Sequence, residues 1–215
     1  MIYLPKRFQN ENTGNSLKLI EEYPLATLIS IQDTSPFFSH IPLVVESNSD
    51  QLVLIGHIAK GNPHWRLMNE KPINVIFNGP NEYISPKWYI ENDAPTWNYA
   101  VVHIEGHCSL IESLDGILDC LKKLSNASEG KSIDPWEFWI PEDLAAPGLI
   151  EKSIVGFKIE VQSLKAKFKL NQSRSEADLN GVIKGLEAKG TDSGRKVAAL
   201  MKTSWYEYNR DQVKK

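Results

Sequence analysis

Three stretches of this 215-residue chain carry side chains whose types and spacing suit an anion or a planar ring. The first is Gly56-His57-Ile58-Ala59-Lys60-Gly61-Asn62-Pro63-His64-Trp65. There an apolar strand ends, a glycine turns the chain, and Asn62-Pro63 opens a helix, Asn being a favoured N-cap and Pro suiting the first helical position. A helix start offers unpaired backbone N–H groups and a positive dipole end, and Lys60 adds a mobile cation beside it. The stretch suits a phosphate and equally suits a plain strand-to-helix turn with a surface lysine. The second is Lys167-Phe168-Lys169-Leu170-Asn171-Gln172-Ser173-Arg174-Ser175, rich in donors and without an acidic residue. Arg174 has the fork for a bidentate phosphate contact and Gln172 the amide for a polar ring edge. A helix cap among solvated lysines is the other reading. The third, Ala94 to Gly106, opens with Trp97 and Tyr99 on one face of a strand. With Tyr83, Trp88 and Tyr89 nearby, these rings suit a ligand wall, core packing or a contact between subunits.

Other chemistries lack their residues. His103 and His107 lie in a segment that reads as strand, about 13 Å apart at four residues, too far to share one ion. His57 and His64 straddle a turn without an evident third ligand, so no metal site is expected. Cys108 and Cys120 have no metal-ligand spacing and read as free thiols of a reducing cytoplasm. No Gly-x-Ser-x-Gly elbow occurs. A dinucleotide fingerprint, G-x-G-x-x-G after a strand, is missing too.

The elements that must position the three stretches are mostly strands. Leu17 to Tyr23 reads as a helix stopped by Pro24. Leu25 to Ile31 reads as a buried strand, and Ser39 to Val45 as the next, with Asp33 to Pro36 turning between them and Pro42 marking an edge or bulge. Gln51 to Ala59, Pro72 to Asn78 and a short strand at Glu82 to Ser85 follow, the last two divided by a turn at Gly79-Pro80-Asn81. Thr96 to Ile111 is one long strand or two joined at Gly106. Ile154 to Gln162 alternates, and Ala166 to Leu170 continues or follows it. Leu114, Ile117, Leu118, Leu121 and Leu124 have the spacing of a buried helix stripe. Ser175-Glu176-Ala177-Asp178 resembles a capping box for a helix carrying Leu179, Val182, Ile183 and Leu186. A last helix carries Val197, Leu200, Met201, Trp205 and Tyr208. Strands in succession with short turns predict an antiparallel sheet or barrel with peripheral helices and a helical C-terminal tail, rather than alternating βαβ units. The expected division is a barrel over 1–170 and a helical segment over 171–215, packed on the barrel or on a partner subunit.

Composition is ordinary for a globular chain, 41% hydrophobic and 24% charged, with neither an apolar leader nor a membrane-length apolar run. The net charge of −3 does not suggest a nucleic-acid binder, but it is uneven. Residues 1–163 hold 12 basic and 21 acidic side chains, and residues 164–215 hold 12 and 6. A basic C-terminal part could attract a polyanion, or could be solvated helix faces. Its two helices, joined near Gly190 and Asp192, could form a helix-turn-helix. The second, however, offers an apolar stripe and only Arg195, Lys196 and Lys202 as basic groups, so any DNA contact is expected to be weak or indirect.

Together the stretches resemble the PaiB-type proteins, the family of FMN-binding negative transcriptional regulators. The resemblance rests on Tyr3-Leu4-Pro5-Lys6-Arg7-Phe8, Pro24 to Ser30, Ser39-His40-Ile41-Pro42-Leu43, Gly56 to Trp65, Pro95-Thr96-Trp97-Asn98-Tyr99 and Lys167 to Ser175, six motifs in order from Met1 to about Met201. It implies a mainly β fold with α, an antiparallel FMN-binding split β-barrel similar to pyridoxamine phosphate oxidase-like proteins. It also implies a homodimer with FMN at the subunit junction. Carried over by position, His57, Lys60 and Asn62 are candidates for the phosphate side, and Lys169, Gln172 and Arg174 come from the second motif. Ser30, His40 and Trp97 are candidates near the ring.

Two functional classes remain open at this stage. One is a cytoplasmic flavin-binding regulator of transcription without turnover. The other is a flavin-dependent oxidoreductase acting on a small or haem-like substrate, whose redox chemistry the flavin itself would supply.

Overall fold

The computed structural model describes residues 2–48, 51–91, 94–130, 132–140 and 148–213. In chain order these form β1 (Gln9–Asn10), α1 (Thr13–Glu22), β2 (Leu25–Gln32), β3 (Ser35–Pro42), β4 (Val44–Asn48), β5 (Gln51–Ala59) and α2 (His64–Met68). There follow β6 (Lys71–Ile84), β7 (Thr96–Ile111), α3 (Leu114–Glu129), α4 (Leu149–Ser153), β8 (Ile154–Lys169), α5 (Glu176–Lys189) and α6 (Asp192–Val213). Eight strands join in one mainly antiparallel sheet in the order β3-β2-β6-β7-β8-β5-β4, with β1 paired to β8. The sheet is not closed: among the described residues nothing pairs β3 with β4. The described chain divides into two compact units, one of residues 2–16, 78–102 and 165–213, the other of residues 17–77 and 103–164, and β6, β7 and β8 contribute to both.

Three sequence expectations change in detail. The Ser39–Val45 strand is two strands. Pro42 has no N–H for a ladder, β3 ends there, and the Leu43 N–H turns back to the Pro24 carbonyl at 3.0 Å, after which β4 pairs with β5 instead. The turn before β3 is also tighter than Asp33 to Pro36. Gln32 pairs directly with Ser35, and Asp33 takes a φ of 56°, as two-residue hairpin turns require. Pro36 and Pro42 thus sit in a strand at the sheet's end, where a missing donor is tolerated. Finally, the turn read at Gly79-Pro80-Asn81 lies inside the single strand β6. Its buried positions are odd through Gly79 and even from Pro80 onward, the phase slip that a bulge produces, and Pro80 falls beyond Asn74–Phe77, the residues that β2 pairs.

Other expectations hold. β7 is one strand through Gly106, where a Cβ would stand 2.6 Å from the Glu160 carbonyl, so close approach of β8 explains the glycine. β8 runs unbroken from Ile154 to Lys169. In the unit of 17–77 and 103–164, α3 buries Ile117, Cys120 and Leu124. Burial pushes the Cys108 thiol up to about 12, with Glu70 adding to the effect, and raises that of Cys120, so burial favours the neutral thiol at both.

In the other unit α5 and α6 form a hairpin. Ser175 caps α5 by accepting the Asp178 N–H, and Gly190 ends it at a φ of 71°. α5 lies against Trp88 through two glycines: a Cβ on Gly181 would stand 2.2 Å from the Trp88 carbonyl oxygen, and one on Gly185 2.3 Å from its ring. Glu82 of β6 holds the α5–α6 turn, accepting from Lys189 Nζ at 2.7 Å and Thr191 Oγ1 at 2.9 Å. Burial alone would raise the Glu82 carboxyl, but these donors and the Tyr83 N–H hold it below the usual range. Val197 and Met201 form the buried stripe of α6. Lys196 pairs with Asp192 and Lys202 with Glu187, so basic side chains of the hairpin are partly spent on local carboxylates. Lys214 and Lys215 of the basic tail lie outside the described residues.

Candidate functional site

In the unit of 17–77 and 103–164 the first stretch forms a buried polar network. Asn62 donates Nδ2 to Ser39 Oγ at 2.9 Å and accepts the His64 N–H on Oδ1 at 3.1 Å. Ser39 Oγ lies 2.8 Å from His64 Nδ1. Ser39 Oγ accepts from Asn62 and keeps a second lone pair, so it donates to His64 Nδ1 or accepts from it according to the ring tautomer. Its Nε2 is buried and has no partner among the described residues, and burial lowers the His64 pKa by disfavouring the charged ring. α2 is only five residues, and one of its free N–H groups is used by Asn62, so the helix start offers less to an anion than the sequence suggests.

Lys60 stands over the Trp65 ring, 5.9 Å from its centroid, and 4.0 Å from Glu112, with the Trp65 indole N–H on its own carbonyl. His57 on β5 has a buried Nδ1 without a partner among the described residues and a pKa lowered by burial. Ser30 on β2 is buried, with no partner for its Oγ among the described residues, whereas His40 Nδ1 meets Thr27 Oγ1 at 3.1 Å. Unsatisfied buried polar atoms each cost about 1–3 kcal/mol unless a ligand or water meets them, so Ser30 Oγ, His57 Nδ1 and His64 Nε2, like Glu151 Oε2 elsewhere in this unit, ask for a partner.

The second and third stretches meet in the other unit. Lys169 Nζ donates to Thr96 Oγ1 at the head of β7. Lys167 lies over the rings of Tyr3 and Tyr99, 5.3 and 5.5 Å from their centroids. Burial, foremost, depresses the Lys169 pKa, Tyr99 opposes this, and the neighbouring Lys167 and Arg7 charges add to it. No carboxylate pairs with Arg7, Lys167 or Lys169 among the described residues, so three like charges are gathered here, Lys167 on the Tyr3 and Tyr99 rings and Arg7 on that of Phe8. An anion would relieve that repulsion.

Gln172 is placed differently from the expectation of a ring-edge reader. It is 5% exposed, donates Nε2 to the carbonyls of Phe168 at 2.7 Å and Arg7 at 2.9 Å, and accepts the Leu170 N–H on Oε1 at 2.9 Å. Both its N–H donors are spent inside the chain. Arg174 lies over the Tyr89 ring at 5.2 Å, and its carbonyl accepts the Trp205 indole N–H. Trp97 is 53% exposed and meets Tyr83 edge to face at 6.1 Å, while Trp88 and Tyr89 are taken up inside the unit.

The sequence did not single out Ser39, Thr96 or Arg7 for these roles. Ser39 is 25 residues from His64 and Thr96 is 73 from Lys169, and no local pattern marks such pairs.

A family model described as "Putative FMN-binding domain" matches residues 2–163. The chain belongs to this family. It therefore carries an FMN-binding domain, although Lys167 to Ser175 lie beyond the matched residues. The chain is a homologue of PaiB: it is 34% identical over 204 residues to the Protease synthase and sporulation protein PAI 2 of Bacillus subtilis, covering 93% of this chain and 96% of that one. It is 30% identical to the uncharacterized protein AN0679 of Emericella nidulans over 86% of this chain and 90% of that one.

Solved structures show the same fold at low identity. The FAD and heme binding protein from Mycobacterium smegmatis superposes with a TM-score of 0.57 at 16% identity, covering 75% of this chain and 73% of that one. The flavocytochrome Anf3 from Azotobacter vinelandii gives 0.56 at 10% identity, covering 80% and 75%. The split-barrel expectation is thereby met in fold, by a mainly antiparallel sheet that is not closed. The residues present suit FMN: in the unit of 17–77 and 103–164, Ser30 Oγ, His57 Nδ1 and His64 Nε2 are buried without a partner among the described residues, as a site for a hydrogen-bonding ring compound requires.

Proposed function

We propose that this FMN-binding protein acts in the cytoplasm as a homodimeric regulator of the PaiB type. The observation that carries the reading is the FMN-binding family match together with identity to PAI 2 along nearly the whole of both chains. His57, Lys60 and Asn62 are the residues assigned to the phosphate, and Lys169 and Arg174 of the second motif are further residues assigned to the cofactor. Ser30, His40 and Trp97 are assigned to the ring, and Gln172 acts as the brace of the second motif. FMN, when bound, would supply the protein's redox chemistry.

Two features support the dimer. Leu25, Ile31 and Phe38 are all more than half exposed on one face of the β2–β3 hairpin, where Leu25 is opposite Pro42 and Phe38 opposite Ile29. Tyr83 and Trp97 are exposed as well. Such apolar surface is what a subunit contact covers. Both cysteines are unpaired, as in a reducing compartment, and no helix among the described residues is long and apolar enough to cross a membrane. We assign the strands through Leu170 to flavin binding and 171–215 to a helical segment packed on them. DNA contact falls to that basic segment and is weak.

The test is made with FMN-loaded full-length protein. Light scattering should give a dimer, operator fragments should bind with a steep salt dependence, and NAD(P)H should not be consumed catalytically. Steady NAD(P)H turnover without DNA binding would replace the regulator by an oxidoreductase.

A further inference from the structure

The unit of 2–16, 78–102 and 165–213 contains a cavity of about 470 Å³ between the N-terminal segment and the last turns of α6, with Phe168 in its wall. That volume suits a small metabolite. Its polar lining is unevenly committed. The side-chain oxygens of Asn10 and Asn12 are taken by the backbone N–H groups of Asn12 and Gly14, each at 3.0 Å, leaving their Nδ2 groups as donors. Ser204 is 8% exposed, yet its hydroxyl makes no hydrogen bond among the described residues, and neither does that of Tyr208. Lys6 and Arg7 line the cavity without a carboxylate partner among the described residues, and Arg7 adds its charge to those of Lys167 and Lys169. Of the acidic lining, Glu207 is occupied by Asn15 Nδ2 at 3.1 Å, and Glu11 is exposed.

The unspent functions are therefore mostly donors, two of them cationic, beside an aromatic wall. We propose that this cavity is a second ligand site, separate from the flavin's, for a small organic oxyanion: a phosphate ester or a polycarboxylate whose carbon skeleton rests on Phe168. The ligand's oxygens take Ser204 Oγ, Arg7 and the Asn10 and Asn12 amides. Its occupancy ties α6 to the segment before α1, and so couples metabolite level to the position of the basic helical hairpin.

The test uses full-length protein saturated with FMN, with saturation followed separately by flavin absorbance. Inorganic phosphate, glycerol 3-phosphate and citrate are titrated by calorimetry and thermal shift. At least one organic anion should bind more tightly than inorganic phosphate, raise Tm, and lose about tenfold or more in affinity in both Ser204→Ala and Arg7→Ala, as loss of one good hydrogen bond implies. The FMN titration of Ser204→Ala should match the parent. Absence of saturable binding up to about 10 mM, an affinity of about −2.7 kcal/mol at most, overturns the proposal. So does binding indifferent to both substitutions. Binding seen only in FMN-free protein overturns it as well, because the cavity is then the flavin's own phosphate seat. Failure of FMN itself to bind would instead count against the flavin reading.

Discussion

Replacing Gln172 separates a structural brace from a ligand contact. Its amide makes three hydrogen bonds, to the Leu170 N–H and to the carbonyls of Phe168 and Arg7, from a residue 5% exposed. Gln172→Ala removes all three and leaves one donor and two acceptors to find water in a small space. At about 1 kcal/mol net per bond the loss is about 3 kcal/mol, and more where a group stays unsatisfied. Gln172→Glu keeps an acceptor for the Leu170 N–H but turns carboxylate oxygens toward two carbonyls. It should be less stable than the parent at pH 8 and recover part of the deficit near pH 5, as protonation restores one donor, with about 1.4 kcal/mol per unit of pKa shift. Urea unfolding of the FMN-free protein measures both. If Gln172→Ala unfolds within about 0.5 kcal/mol of the parent while losing FMN affinity, the brace reasoning fails and Gln172 is a ligand residue.

Further outcomes follow from the same geometry. Lys60→Ala and Arg174→Ala should each weaken FMN binding by about 1.5–3 kcal/mol, and Lys169→Met similarly, read by flavin absorbance titration; unchanged affinity in all three removes the phosphate assignment. Burial depresses the pKa of both His57 and His64 in the fold, so the unfolded chain binds more protons just below the ordinary histidine value of about 6.5. Stability should therefore fall as pH drops through that value, with a smaller fall in His57→Gln and His64→Gln; equal slopes in parent and variants would refute it. Gly185→Ala places a Cβ 2.3 Å from the Trp88 ring and should cost about 1–3 kcal/mol, whereas the Cβ of Gly61→Ala meets nothing within 4 Å and should be near neutral, as thermal unfolding of the pair will show.

Much of the fold was legible because alternation and helical spacing are local properties. β7, β8 and the stripes of α3 and α5 could be read from residues within a few positions of one another. The errors came where one residue type serves two geometries. Gly79-Pro80 signals a turn in most sequences, but here it slips the phase of a continuing strand. Pro42 was recognised as an interruption, but whether a strand bends or ends depends on a distant partner, here the Pro24 carbonyl. The site was legible as chemistry and not as wiring. Donor-rich stretches were visible, but that Gln172 reaches back to Arg7, 165 positions away, or that Asn62 and His64 share Ser39, depends on tertiary contacts that leave no local trace.

The most direct test of the central claim is an absorbance titration of the purified full-length chain with FMN. Saturation at about one FMN per chain, at micromolar concentration or tighter and with a perturbed flavin spectrum, is the expected result, corresponding to at least about 8 kcal/mol of binding free energy. A free-flavin spectrum at every ratio, with FMN passing freely through a desalting column, would contradict the account.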